Sequence, residues 1–257
     1  MTMNRILRLA LLPLLLAASP LAAQSAPARM AWHEVLRGDD GTTVHIDSAT
    51  VTRTGDATFT VRTSTWFPQR MELEDGRRFT REVDVEELNC GADSIRGFVS
   101  QLYADTSLVR LVPLAATWQP VPENRRPVFA ASCAWLLGSS FASTLSWSFG
   151  ADAVDEVPRL ADPAAARRAL TREYPRALLA AGTRGEVTVR FLVGADGTVD
   201  PATLALVSLS DVAFAEPAFR VVATLRFRPA RYQGTPVPVW VMLPLGFQPG
   251  ATLLVDP

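Results

Sequence analysis

Two histidines, two cysteines and a run of carboxylates are the side chains that could do chemistry in this sequence. His33 or His45 could act as a base, and Asp47 and Ser48 stand close to the second. His45-Ile46-Asp47-Ser48 cannot form a Ser/His/Asp relay by adjacency, because neighbouring residues of a strand point to opposite faces. There is no G-x-S-x-G elbow, phosphate-cradling glycine loop or H-E-x-x-H. Asp84, Glu86 and Glu87 form a charge run of the kind that usually faces solvent. The expectation is a protein that is not an enzyme, with no catalytic residue and no cofactor. A hydrolase with an unrecognised site around His33 or His45 is the competing reading.

The chemistry open to Cys90 and Cys133 depends on the compartment, and the first residues speak to that. Arg5 and Arg8 precede an apolar run from Leu9 to Ala18, and small residues follow through Ala22-Ala23-Gln24-Ser25. This pattern predicts a secretory signal peptide over residues 1–25, cleaved between Ala23 and Ala26. An uncleaved anchor is the alternative, but the run falls short of the ~20 residues of a spanning helix, so no retained membrane span is expected. No cysteine follows the run to take a lipid. In an exported chain an even pair of cysteines is most simply a disulfide, and closing a loop of 43 positions stabilises by roughly 4 kcal/mol on the chain-entropy model. A metal site joining both thiols to His33 and His45 is the rival. It lacks any close-spaced ligand pair, so no metal is expected.

Positioning elements are clearest in the last third of the chain. Asp162-Pro163 reads as an N-cap and first-turn proline opening a helix, and Tyr174-Pro175 starts a second one that Gly182 can end. From Glu186 to Val193 the residues alternate: Val187, Val189, Phe191 and Val193 share one face, and Glu186, Thr188 and Arg190 the wet one. Leu192 is the one lapse. Asp196-Gly197 supplies a tight turn before a second strand at about Leu204 to Leu209. Phe214, Ala218, Val221, Val222 and Leu225 then fall at helical spacing, with Pro217 tolerable in the first turn. A third strand, Val237 to Phe247, closes the set. An all-antiparallel sheet needs that strand to pair with the first, which gives the spatial order two, one, three and leaves strand three at an edge.

Tyr174-Pro175, the Gly185 to Phe191 run, Phe227-Arg228-Pro229-Ala230 and Pro236-Val237-Pro238-Val239-Trp240 resemble, in that order and spacing, the C-terminal domain of the TonB family, over residues of about 162–249. The resemblance implies a non-enzymatic module that docks protein partners by strand addition, in a setting linked to outer-membrane transport. The family's energy transducer has a long Pro/Lys-rich spacer, whereas this sequence contains no lysine. The resemblance therefore covers one domain.

Two prolines locate the docking edge. Pro238, Trp240, Met242 and Pro244 direct their backbone groups to the same side of strand three, and a proline that cannot donate belongs on the unpaired side of an edge. Odd-numbered residues should bond to strand one, leaving Trp240 and Met242 to offer both donor and acceptor to an incoming strand. Arg228 and Arg231 are near enough in sequence to steer an acidic partner segment. Protection of the edge from aggregation, with Trp240 covered by a helix or by the N-terminal domain, is the alternative reading.

Residues 26–149 read as a β-rich N-terminal domain, with runs such as Val44 to Asp47 and Thr58 to Thr63 divided by glycine turns, and a helix at Pro127 to Leu137 carrying Cys133. Trp32, Ile46-Asp47, Val51 to Gly55, Cys90, Trp118 and Cys133 are laid out in a manner similar to the surface-adhesin protein E family, over residues of about 30–137. That resemblance implies an antiparallel sheet backed by a helix, a disulfide between the two cysteines, and a surface-exposed role as the alternative function. Ala134 to Phe149 is too polar for a span, and Leu145, Trp147 and Phe149 alternate as in a packed strand or connection. Residues 150–161, acidic and containing Pro158, are the expected linker to a TonB-like domain at 162–257.

The fold class expected is α+β, two antiparallel domains behind a signal peptide. With 48% apolar and 20% charged residues, each domain can bury a core. A net charge of −1 gives no footprint for nucleic acid. The expected partner is a protein of the cell envelope, in the periplasm or at the outer surface.

Overall fold

In the computed structural model, the described residues are 32–138, 145 and 147–248. The predicted signal peptide lies outside them. The first unit is an antiparallel sheet built from β1 (Trp32–Arg37), β2 (Thr43–Asp47), β3 (Thr52–Gly55), β4 (Thr58–Glu72), β5 (Arg78–Asn89), β6 (Ser94–Ala104), β7 (Ser107–Pro113) and β8 (Gln119–Pro120). Its order is β1-β2-β4-β5-β6-β7, with β3 alongside β4 and β8 alongside β6. A helix, α1 (Arg126–Gly138), lies on one face and buries Phe129, Cys133 and Leu136 against Phe59, Val61, Leu88 and Ile95. Cys90 and Cys133 form a disulfide that ties this helix to the end of β5. With their sulfurs bonded to each other, the two cysteines are not a thiolate pair for a metal. Among the described residues no His, Cys, Asp and Glu cluster could hold one.

The second unit follows the order read from the sequence. After β9 (Arg159–Leu160) come α2 (Pro163–Glu173), α3 (Arg176–Ala180), β10 (Gly185–Val193), β11 (Ala205–Leu209) and α4 (Ala215–Thr224). Four strands complete it: β12 (Phe227–Arg228), β13 (Ala230–Tyr232), β14 (Thr235–Val237) and β15 (Val239–Phe247). Asp162 caps α2 by accepting from the Ala165 amide, with Pro163 in its first turn. Gly182, at φ +65°, ends α3 where a side chain would be strained. Gly197 turns β10 toward β11 at φ +78°, and a Cβ there would meet the Phe227 carbonyl at 1.9 Å. The sheet order is β11-β10-β15, all antiparallel, so strand three is an edge. It begins at Val239 rather than Val237, because Thr235–Val237 turn back against β13 and Pro238 cannot donate to a ladder. Helices α2 and α4 cover Val187, Val189, Phe191 and Val193.

The other face of that sheet is where sequence and structure differ. Alternation gives it to solvent, but it packs on the face of the first sheet that α1 leaves uncovered. The layers run α1, first sheet, second sheet, then α2 with α4. Val85, Val99 and Ala205 make an apolar contact between the sheets, and Leu108 and Leu111 of β7 pack against the second core. Polar bonds cross as well: the Arg62 guanidinium donates to the Leu204 carbonyl at 2.7 Å, and Gln101 donates to the Leu206 carbonyl. Leu192, the lapse in the alternation, is paired with Trp240 in register, and both are buried in this interface.

The carboxylate run is also not a solvated face. Asp84 and Glu86 are buried, and the guanidinium of Arg125, just ahead of α1, reaches Asp84 at 3.1 Å and Glu86 at 2.9 Å. Burial, with Glu86 and Glu82 adding repulsion, outweighs Arg125 and pushes the Asp84 pKa up to about 8; Glu86 is raised for the same main reason. Between its ordinary 3.8 and about 8, Asp84 is protonated when folded and ionised when unfolded, so folding takes up a proton and stability falls as pH rises. The urea midpoint of the full chain is expected to drop from pH 5 to pH 8, and Asp84→Asn to flatten that drop. A midpoint that climbs over this window would contradict the assignment.

Candidate partner-docking edge

The edge strand β15 faces β10 with one row of backbone groups and turns the other row outward. Pro238 precedes the strand, Trp240 and Met242 lie within it opposite Leu192 and Arg190, and Pro244 lies opposite Thr188. The Trp240 amide points away from β10 and donates to the Phe149 carbonyl at 2.9 Å, and the Phe149 amide donates to the Pro238 carbonyl at 3.0 Å. Residues 147–149 thus lie along the start of the edge. By strand alternation Met242 directs its amide and carbonyl the same way as Trp240. Its side chain is 52% exposed. From Met242 onward the outer edge has no strand beside it among the described residues.

Trp240 is 7% exposed, and its indole N–H lies 3.1 Å from both Thr52 Oγ1 and Ser148 Oγ. Its ring stacks on the guanidinium of Arg190, 3.8 Å from the ring centre, with Phe98 on the opposite side at 4.1 Å. Arg190 is 2% exposed and pairs with Glu87 of β5 at 3.5 Å. Burial lowers its pKa to about 9 in spite of Glu87, so it remains charged at neutral pH. The sequence places Arg190 on a wet face; the structure makes it a bolt between the sheets. Leu192, the lapse in the alternation, and Trp240 on the same face were the signal that this face is covered.

Arg228 is exposed on β12, while Arg231 sits in the β13–β14 hairpin, where its guanidinium donates to the Gly234 carbonyl. The histidines stand apart from this edge. His33 bonds Ser48 at 3.0 Å and packs on Trp135 of α1, whereas the Asp47 carboxylate lies 3.7 Å from Arg62 on the other face of the sheet. Asp47 thus lies on the face opposite His33, and His45 stands 3.8 Å from the Glu34 carboxylate. No described helix is long and apolar enough to cross a membrane.

The second unit is a three-stranded antiparallel sheet with helices on one face and an edge strand that no described strand pairs with over part of its length. Residues 171–249 match the family described as Gram-negative bacterial TonB protein C-terminal. The match supports reading that segment as similar to a TonB-type protein-interaction module, from a family that is not enzymatic. No curated protein matches the chain.

Proposed function

We infer that this protein is a periplasm-facing envelope component that binds a protein partner by adding the partner's strand to the outer edge of β15, in a system linked to outer-membrane transport. The open stretch that starts at Met242, within a segment matching the TonB C-terminal family, carries this reading. Main-chain bonds to the outward amide and carbonyl of Met242 supply affinity, and Pro244, which cannot donate, limits the bonded stretch on its far side. Arg228, exposed on the same unit, draws an acidic partner segment toward the edge. The first sheet covers the face of the module, residues 147–149 cover the start of the edge, and the stretch at Met242 is left as accessible backbone.

Met242→Pro removes the outward amide without touching the bonds to β10. It is expected to leave unfolding by urea near wild type and to weaken capture of an envelope partner by tagged full-length protein at least ~10-fold. A folded variant that captures the same partner with unchanged affinity rules out docking at this edge.

A further inference from the structure

The first part of the β15 edge is filled by the protein's own chain, in the manner of a bound peptide. The Ser148 amide donates to the Arg53 carbonyl at 2.9 Å on one side, and Phe149 exchanges two backbone bonds with Pro238 and Trp240 on the other. The bridge between Phe149 and Val239 is parallel. These are the bonds an added strand makes. Each side chain of the strap has a defined seat. Trp147, 49% exposed, lies under the Arg53 guanidinium at 5.5 Å; Ser148 is buried and donates to Thr52 Oγ1 at 2.8 Å beside the Trp240 indole; Phe149 stacks on Tyr232 at 5.1 Å. The strap meets β15 through one bridge, whereas β10 holds β15 through nine register pairs. The strap border is the weaker one and can open while the sheet stays closed.

We propose that Trp147–Phe149 is an internal ligand of the edge, and that the partner exchanging with it is an extended peptide carrying aromatic, small hydroxyl and aromatic residues at three successive positions, added parallel to β15. This rests on the reading of β15 as a docking edge. The hydroxyl residue takes the place of Ser148 between Thr52 and the Trp240 indole, and the aromatic residues take the seats at Arg53 and Tyr232. Displacing the strap extends the available edge from Met242 back to Pro238. The Trp240 indole keeps its own bond to Thr52 of β3, so the two sheets stay joined while the strap exchanges.

The test uses a fluorescent peptide of residues 147–152, Trp-Ser-Phe-Gly-Ala-Asp, titrated into full-length protein and into Phe149→Pro, which deletes the donor to Pro238. The variant is expected to bind it at least ~10-fold more tightly than wild type, whose tethered strap competes at roughly millimolar effective concentration. A peptide with alanine at the serine position should bind about 5-fold more weakly. Hydrogen exchange on the wild type decides the matter even if the variant does not fold: the Trp240 amide is expected to exchange faster than the β15 amides that face β10. Equal peptide affinity in both proteins, or a Trp240 amide as protected as those facing β10, overturns the proposal. A partner crosslinked at Met242 together with equal peptide affinities would sink the strap and keep docking at the edge. Peptide exchange without any partner at Met242 would keep the strap and remove the docking reading.

Discussion

Replacing Phe191 by alanine is expected to cost about 3–5 kcal/mol of stability. Phe191 is fully buried at the middle of β10, the central strand of the second sheet, and its ring lies 5.8 Å from that of Phe227. Its face is roofed by α2 and α4, whose buried residues Leu170, Val221 and Val222 belong to the same core. Elements held on both sides by a sheet and by helices relax little, so truncation leaves most of the ring's volume as a cavity. Urea unfolding of the full chain checks this. A shift below about 1 kcal/mol would mean that the site collapses and that Phe191 is not a centre of the core.

Arg190→Ala is expected to destabilise by about 3 kcal/mol. The guanidinium is stacked between Phe98 and Trp240 and faces Glu87, so its loss opens a gap between the sheets and leaves a buried carboxylate with one cation fewer. Arg96, 2.8 Å from Glu87, remains and holds the cost near the lower end of what breaking a buried pair gives. Arg190→Lys should recover only part of the loss, because an ammonium cannot lie flat between two rings. The distinguishing readout is coupling: the variant should unfold in two steps, one for each sheet. A single transition at the wild-type midpoint would show that Arg190 does not hold the sheets together.

The elements of the second sheet were legible because each is specified locally. Alternation from Glu186 to Val193, the Asp196-Gly197 turn and the Asp162 cap all act within a few residues, and the edge position of strand three followed from connectivity. The covering of its polar face was not legible, because a buried polar contact such as Arg190 with Glu87 has the same alternation as a solvated face. The acidic run failed for the same reason, Asp84 and Glu86 being buried against Arg125 rather than solvated. Trp147 and Phe149 showed strand-like alternation. Their neighbours, Arg53 and Val239, are each about 90 residues away, and no local pattern encodes such a pairing. The disulfide needed only two cysteines and an export signal to be expected.

Docking at the outer edge of β15 is tested most directly by a photo-crosslinking side chain placed at Met242 of the full-length protein in intact envelopes. The same group at Val212, 60% exposed ahead of α4, serves as the control position. A discrete protein adduct is expected at Met242 and not at Val212. No adduct at Met242, or the same adducts at both positions, would contradict it.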